Sequence, residues 1–452
     1  MREGFPLKKA AKTNPAQILI LGFLSFILVG TVLLMLPVAT VNGISPVDAL
    51  FTSTSAVCVT GLIVRDTPGD FTPFGQIVIL FLIQIGGLGY MTSATILSLL
   101  LGKRIGLGER LIMKEALNVL TLEGVVRFTR AVLFTTLFLE SAGAALLTVR
   151  FMADYGPGQA AYYGIFHSVS AFNNAGFSLF PDSMVRYRGD VVVNLVLSAL
   201  VLIGGIGFLV LSDSYHYARK TVLRISLHTK VVVVTSVLLV TGGAVLILLF
   251  EYSNPETFRK MTLTEKILAS FFGSVMPRTA GFNTLDYSHL RLQTLLMTIV
   301  LMFIGASPGS TGGGVKTTTF AIIIASLGSL MRSSADTVLF KRRIPIDMVS
   351  KSLLIVVLAL ILIATVSLIV LTIEERPYRA ILFEVASAFG TVGLSVGDGG
   401  TRSLSALFTP LGKLFVCFAM FAGRLGPLTL VVAIIRKKEE RLRYPEGRIV
   451  IG

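Results

Sequence analysis

Long apolar runs alternate with shorter polar stretches along the chain. Eight runs, at 18–36, 77–101, 131–149, 191–211, 231–250, 295–330, 353–371 and 411–435, carry few charges. A run of about 20 apolar residues spans a bilayer as a helix, because lipid offers the backbone no other hydrogen-bond partner. The pattern predicts an all-α integral membrane protein with eight transmembrane helices. The sixth run is too long for one helix. Its middle, FIGASPGSTGGGVKTTTF (303–320), carries Pro308 and three consecutive glycines, which are poor helix residues. The other seven are expected to be continuous.

Composition agrees. Hydrophobic residues make up 53% and charged residues 14%, with mean hydropathy +0.80; a soluble domain carries about 25% charged residues. The charges are unevenly placed. The N-terminus, 102–130, 212–230, 331–351 and 436–452 together hold 25 Lys/Arg against 10 Asp/Glu. The intervening segments 37–72, 150–190, 251–293 and 372–410 hold 12 against 14. The first set is therefore expected in the cytoplasm, with both termini inside a multi-pass cell-membrane protein. This asymmetry accounts for the net charge of +15 without a nucleic-acid partner, and the basic inner face suits anionic membrane lipid. The first run is long enough to remain as a span rather than be cleaved as a signal. Cys58 and Cys417 lie in apolar context, and His167, His216, His228 and His289 have no metal-ligand spacing.

Each outer connection is longer than a hairpin needs and repeats a pattern. The four read DALFTSTSAVCVTGLIV (48–64), YGIFHSVSAFNNAGFSL (163–179), LASFFGSVMPRTAGFNT (268–284) and AILFEVASAFGTVGLSV (380–396). They align on Gly61, Gly176, Gly281 and Gly393, with Phe51, Phe166, Phe271 and Phe383 ten residues earlier. A second repeat follows in the next run: IQIGGLGY (83–90), VLIGGIGF (201–208), MFIGASPG (302–309) and MFAGRLGP (420–427). The unit is span, short helix, glycine loop, span. Its four copies are 17–101, 127–213, 228–330 (with the interrupted second span) and 348–435, flanked by cytoplasmic 1–16 and 436–452.

Irregular backbone at membrane depth is tolerated only where protein buries it or it lines a water-filled path. Four such loops can surround one axis, and a ring of carbonyls can replace the hydration shell of a monovalent cation. The candidate filter residues are Val59, Thr60 and Gly61; Asn174, Ala175 and Gly176; Thr279, Ala280 and Gly281; and Thr391, Val392 and Gly393. None is a carboxylate, so K+ fits better than a divalent ion.

On these loops and the interrupted sixth run, the chain resembles the Trk/Ktr/HKT potassium transporter superfamily, and most of all the membrane subunits of bacterial Ktr systems. The resemblance covers about residues 17–435. It implies four fused M1–P–M2 repeats around a central pore, and an intramembrane gating loop in the third. It also implies a homodimer standing on a cytosolic KtrA-like ring of RCK domains that binds ATP or ADP. K+ is then cargo, Na+ a candidate activator, and no cofactor is held by this chain itself.

The gating candidates are Gly309, Gly312, Gly313, Gly314, Lys316 and Arg424. A nucleotide-binding P-loop needs Gly-Lys-Ser/Thr in succession, and Val315 separates Gly314 from Lys316. Arg424 lies in the eighth run without an acidic neighbour; a mid-membrane arginine normally faces a cavity or partner, here the carbonyls of the gating loop. An intramembrane enzyme would need acid–base groups, and only Glu140 lies well inside a run. A Na+ or mixed Na+/K+ transporter of the same architecture, or a secondary solute transporter, are the alternatives.

Overall fold

The computed structural model describes residues 15–89, 125–334, 336–397 and 402–434. The expected cytoplasmic termini, most of 102–130 and the end of the second run lie outside these. The described chain is mostly helical, with a single two-stranded hairpin among the described residues. The first unit comprises α1 (Pro15–Met35), α2 (Pro46–Val57) and α3 (Pro73–Leu88). The second comprises α4 (Val125–Phe151), α5 (Pro157–Phe172), α6 (Val191–Ile206) and α7 (Phe208–Ala218). The third comprises α8 (Leu227–Glu251), α9 (Leu263–Val275), α10 (Leu292–Phe303) and α11 (Thr317–Met331). A small hairpin of Val338–Leu339 with Arg342–Arg343 precedes the fourth. That unit comprises α12 (Ile346–Ile373), α13 (Tyr378–Gly390), α14 (Pro410–Leu425) and α15 (Pro427–Ile434).

Helices α1, α4, α8 and α12 are each long and apolar enough to cross a bilayer. Their outward side chains are apolar, Phe134 and Phe138 being 71% exposed, as a helix meeting lipid requires. The short helices begin where sequence punctuation demands. Ser45 caps α2 by accepting from the Asp48 amide, and Thr262 and Glu265 form a reciprocal capping box at α9. Proline opens α2, α3, α5 and α14, at the helix position where its missing N–H costs nothing.

In three of the four units a small residue lets the short helix press against the long helix before it. A Cβ on Gly30, Gly143 or Gly243 would lie 2.4, 2.6 or 2.3 Å from the hydroxyl of Ser53, Ser168 or Ser274. Those hydroxyls donate to the carbonyls of Ile27, Glu140 and Val240, each at 2.7 Å. Such pairing lets helices approach closely where no hydrophobic force drives them together.

One expectation is corrected. The fourth and eighth runs are not continuous. The chain bends by 97° between α6 and α7 and by 93° between α14 and α15. Gly207 (φ 99°) and Gly426 (φ 85°) turn these corners, and Gly89 (φ 80°) ends α3 in the same way. The second glycine repeat thus marks a helix end in every unit, not only in the third, where α10 stops at Phe303. Left-handed torsion ends a helix, and glycine adopts it without a Cβ clash. The third short helix also departs from the other three. Phe51, Phe166 and Phe383 are buried, but Phe271 is only partly so and Phe272 takes the buried place. Pro277 has no N–H to continue the helix, so α9 ends two residues ahead of α2 relative to the loop glycine and its register slips by one.

Candidate ion pathway

Each short helix delivers its last residues into one of the four loops. Left-handed torsions occur twice per loop: at Val59, Asn174, Thr279 and Thr391 (φ 55°, 59°, 84°, 51°), and at Gly61, Gly176, Gly281 and Gly393 (φ 94°, 72°, 67°, 93°). Non-glycine residues held there are strained, and the surrounding bonds hold them. The amides of Thr60 and Gly61 donate to the Ser55 carbonyl and hydroxyl (2.8, 3.0 Å), and those of Val392 and Gly393 to Ser387 likewise (2.9, 3.1 Å). Ala175 donates to the Ser170 carbonyl (2.7 Å) and Ala280 to Met276 (2.9 Å). With these N–H groups turned back to the helices, the loop carbonyls are left to other partners.

The loops meet in a closed circle. A Cβ on Gly61 would lie 2.4 Å from the Ala175 carbonyl oxygen, and one on Gly176 2.7 Å from that of Ala280. On Gly281 it would lie 2.3 Å from the Val392 oxygen, and on Gly393 2.3 Å from the Thr60 oxygen. Each glycine therefore faces the next loop in chain order, and the fourth returns to the first. All twelve candidate filter residues are brought together here.

Beyond the ring opens a cavity of about 270 Å³, lined by all four glycines and by Asp66, Asp182, Asp286 and Arg402. Burial pushes the Asp66 carboxyl above its usual range, against the bond from the Gly69 amide. Burial acts likewise on Asp286, but the Ser288 hydroxyl and amide hold it below its usual range. Two loops carry a further clamp nine residues before the glycine. Glu384 accepts from the Ser395 hydroxyl (2.6 Å) and the Ser405 amide (2.9 Å), and the His167 ring meets the Ser178 hydroxyl (3.0 Å) and Leu179 amide (3.2 Å). Sequence reasoning missed both. The signal was serine two residues after Gly176 and Gly393.

On the other side of the ring lies the loop between α10 and α11. Its ends are pinned by a parallel bridge of Ile304 with Val315. Gly309 (φ 67°) and Gly314 (φ 70°) turn it, and the Gly309 carbonyl accepts from the Phe208 amide (2.9 Å). A Cβ on Gly312 would lie 2.1 Å from the Thr279 hydroxyl, and the Gly313 amide donates to the Thr391 hydroxyl at 2.9 Å. The loop backbone is thus seated directly against the ring. Lys316 donates to the Gly312 carbonyl (2.7 Å). Arg424 donates to the carbonyls of Thr311 and Gly86, and reaches Gly87 at 3.5 Å. All six gating candidates therefore belong to this loop or border it. Thr311 was missed: its hydroxyl lies 3.1 Å from the Asn174 carboxamide, itself 3.0 Å from the Thr279 hydroxyl.

Known proteins resemble this chain. The sequence profile of TrkH, described as a cation transport protein, matches residues 6–442. The Ktr system potassium uptake protein B of Bacillus subtilis is 43% identical over 446 residues, covering 98% of both chains. The potassium/sodium uptake protein NtpJ of Enterococcus hirae is 38% identical, again over 98% of each. The crystal structure of the potassium transporter TrkH from Vibrio parahaemolyticus superposes with a TM-score of 0.72 at 21% identity, over 94% of this chain and 86% of that one. This chain belongs to the TrkH family of cation transport proteins.

Proposed function

We propose that the protein is the membrane subunit of a potassium uptake system, passing K+ through the ring of four loops and closing beneath it with the loop at 304–316. The observation that carries this reading is the closed circle in which each loop glycine faces the neighbouring carbonyl. Carbonyls in a ring can stand in for water around a weakly hydrated cation, and the absence of carboxylates in the twelve loop residues argues against a divalent ion. In this reading Val59 to Gly61, Asn174 to Gly176, Thr279 to Gly281 and Thr391 to Gly393 select. Gly309, Gly312, Gly313, Gly314, Lys316 and Arg424 hold the gate.

Four units, 17–101, 127–213, 228–330 and 348–435, make one pore, with 1–16 and 436–452 in the cytoplasm. The Ktr-system name of the Bacillus subtilis relative supports a regulatory partner, which we take to be a KtrA-like RCK ring binding ATP or ADP under a homodimer. The basic inner segments offer it a docking face. The Enterococcus hirae relative, named for both potassium and sodium, supports the alternative of mixed transport. Rubidium uptake into proteoliposomes, competed with K+ or Na+, decides: competition by K+ at much lower concentration than Na+ is expected, and equal competition overturns K+ preference.

The outer carboxylates concentrate cations at the mouth. Asp182 shares its charge with Arg186 at 3.1 Å, so the effect is moderate. The Asp182→Asn/Asp286→Asn double variant should raise the half-saturating rubidium concentration roughly threefold at low ionic strength. Above physiological salt, where the Debye length falls below about 8 Å, the difference should fade.

A further inference from the structure

Arg278 stands one residue before Thr279, yet takes no part in the ring or the loop beneath it. It is 5% exposed. One Nη donates to the Ser236 hydroxyl at 3.1 Å, while Nε has no partner. No carboxylate pairs with it among the described residues. The guanidinium borders a cavity of about 200 Å³ between α6 and α8, walled by Val201, Leu202, Ile206 and Val240. Val237, on its rim, is 54% exposed on the outer surface of α8. Ser236 is nine residues past the start of α8, about 14 Å of helix rise. A cation that deep is expensive unless something pairs with it. The Ser236 hydroxyl satisfies one donor and leaves Nε unsatisfied.

We propose that this cavity binds the carboxyl end of a free fatty acid from the surrounding bilayer, its oxygens accepting from Arg278 and its chain leaving over Val237 into lipid. The apolar walls fit the methylenes, and the unpaired N–H fits an oxygen acceptor. The cavity is too small to enclose a whole lipid. A carboxylic acid can cross apolar depth in its neutral form, which a phosphodiester cannot, so a single-chain acid is the occupant that reaches this level.

The chain contains no tryptophan, so Val237→Trp supplies a single fluorescent reporter. In phosphatidylcholine nanodiscs it would be titrated with dibromostearic acid, its methyl ester and a dibrominated phosphatidylglycerol. Phe138→Trp, on the lipid-facing side of α4, reports bulk partitioning. The acid is expected to quench the reporter at least tenfold more effectively than the ester. That advantage should vanish in Arg278→Gln and in Val233→Phe, which fills the mouth and leaves the guanidinium in place. Equal quenching by acid and ester would reduce the cavity to an unspecific acyl slot and overturn the proposal. So would a match between phosphatidylglycerol and the acid, or the same acid preference at Phe138→Trp. If Arg278→Gln does not fold, the comparison with Val233→Phe decides alone.

Discussion

Arg424→Ala is expected to raise rubidium flux per folded protein about tenfold, with Arg424→Lys between it and the wild type. Two contributions act together. A fixed guanidinium below the ring repels a passing cation: at an effective dielectric of 20, two unit charges 4 Å apart interact by about 4 kcal/mol. Side-chain motion and entering water reduce this, and about 1.4 kcal/mol is enough for tenfold. The second contribution is mechanical. Arg424 bonds the Thr311 carbonyl of the closing loop and the Gly86 carbonyl of α3 at once, so it fastens the loop to the first unit. Alanine removes both effects. Lysine keeps the charge, but its single ammonium lacks the planar fork that serves two carbonyls in fixed directions. Flux through the three proteins, normalised to folded protein by gel filtration, checks the order. Equal flux in all three would remove Arg424 from the barrier.

Gly393→Ala should lower discrimination of K+ over Na+ by at least tenfold, read as the ratio of their competing concentrations against rubidium. Its φ of 93° lies where an L side chain is strained, and the new methyl would sit 2.3 Å from the Thr60 oxygen and 2.9 Å from the Gly61 Cα. Those atoms are backbone, so relief must come from moving the first loop as well as the fourth. One methyl group thus displaces carbonyls from two quarters of the ring. By contrast, a Cβ on Gly242 meets nothing within 4 Å, and Gly242→Ala should leave discrimination unchanged. Wild-type discrimination in Gly393→Ala would sink the carbonyl-ring reading.

The spans were legible because lipid makes hydrophobicity contiguous, and the loops because glycine recurs at fixed offsets. Gly61, Gly176, Gly281 and Gly393 do meet, as their alignment implied. What the sequence hid follows from the same physics. The bends at Gly207 and Gly426 lie inside apolar stretches, where hydropathy cannot distinguish a straight helix from a bent one; only the left-handed glycine betrays the corner. The shift from Phe271 to Phe272 escaped an ungapped alignment because both residues are phenylalanine, and Pro277 was the overlooked sign. Lys316 was placed with the gate on sequence, but that it bonds the Gly312 carbonyl of its own loop could not be read from spacing. The clamps at His167 and Glu384 reach from inside a short helix to a serine eleven residues on, beyond the helix end, a separation without the periodicity that betrays a helix or strand.

Among the described residues, a loop like that at 304–316 occurs in the third unit alone, although in every unit a helix ends at the corresponding place. A pore assembled from four identical chains would carry four such obstacles, and its opening could be concerted. In the reading proposed above, the described chain has one obstacle, seated against two ring residues by Gly312 and Gly313. Its release is a single event, with a Hill coefficient of one for any ligand acting on that loop alone. Any steeper response must therefore originate outside the chain, in the number of protomers or regulatory subunits that move together.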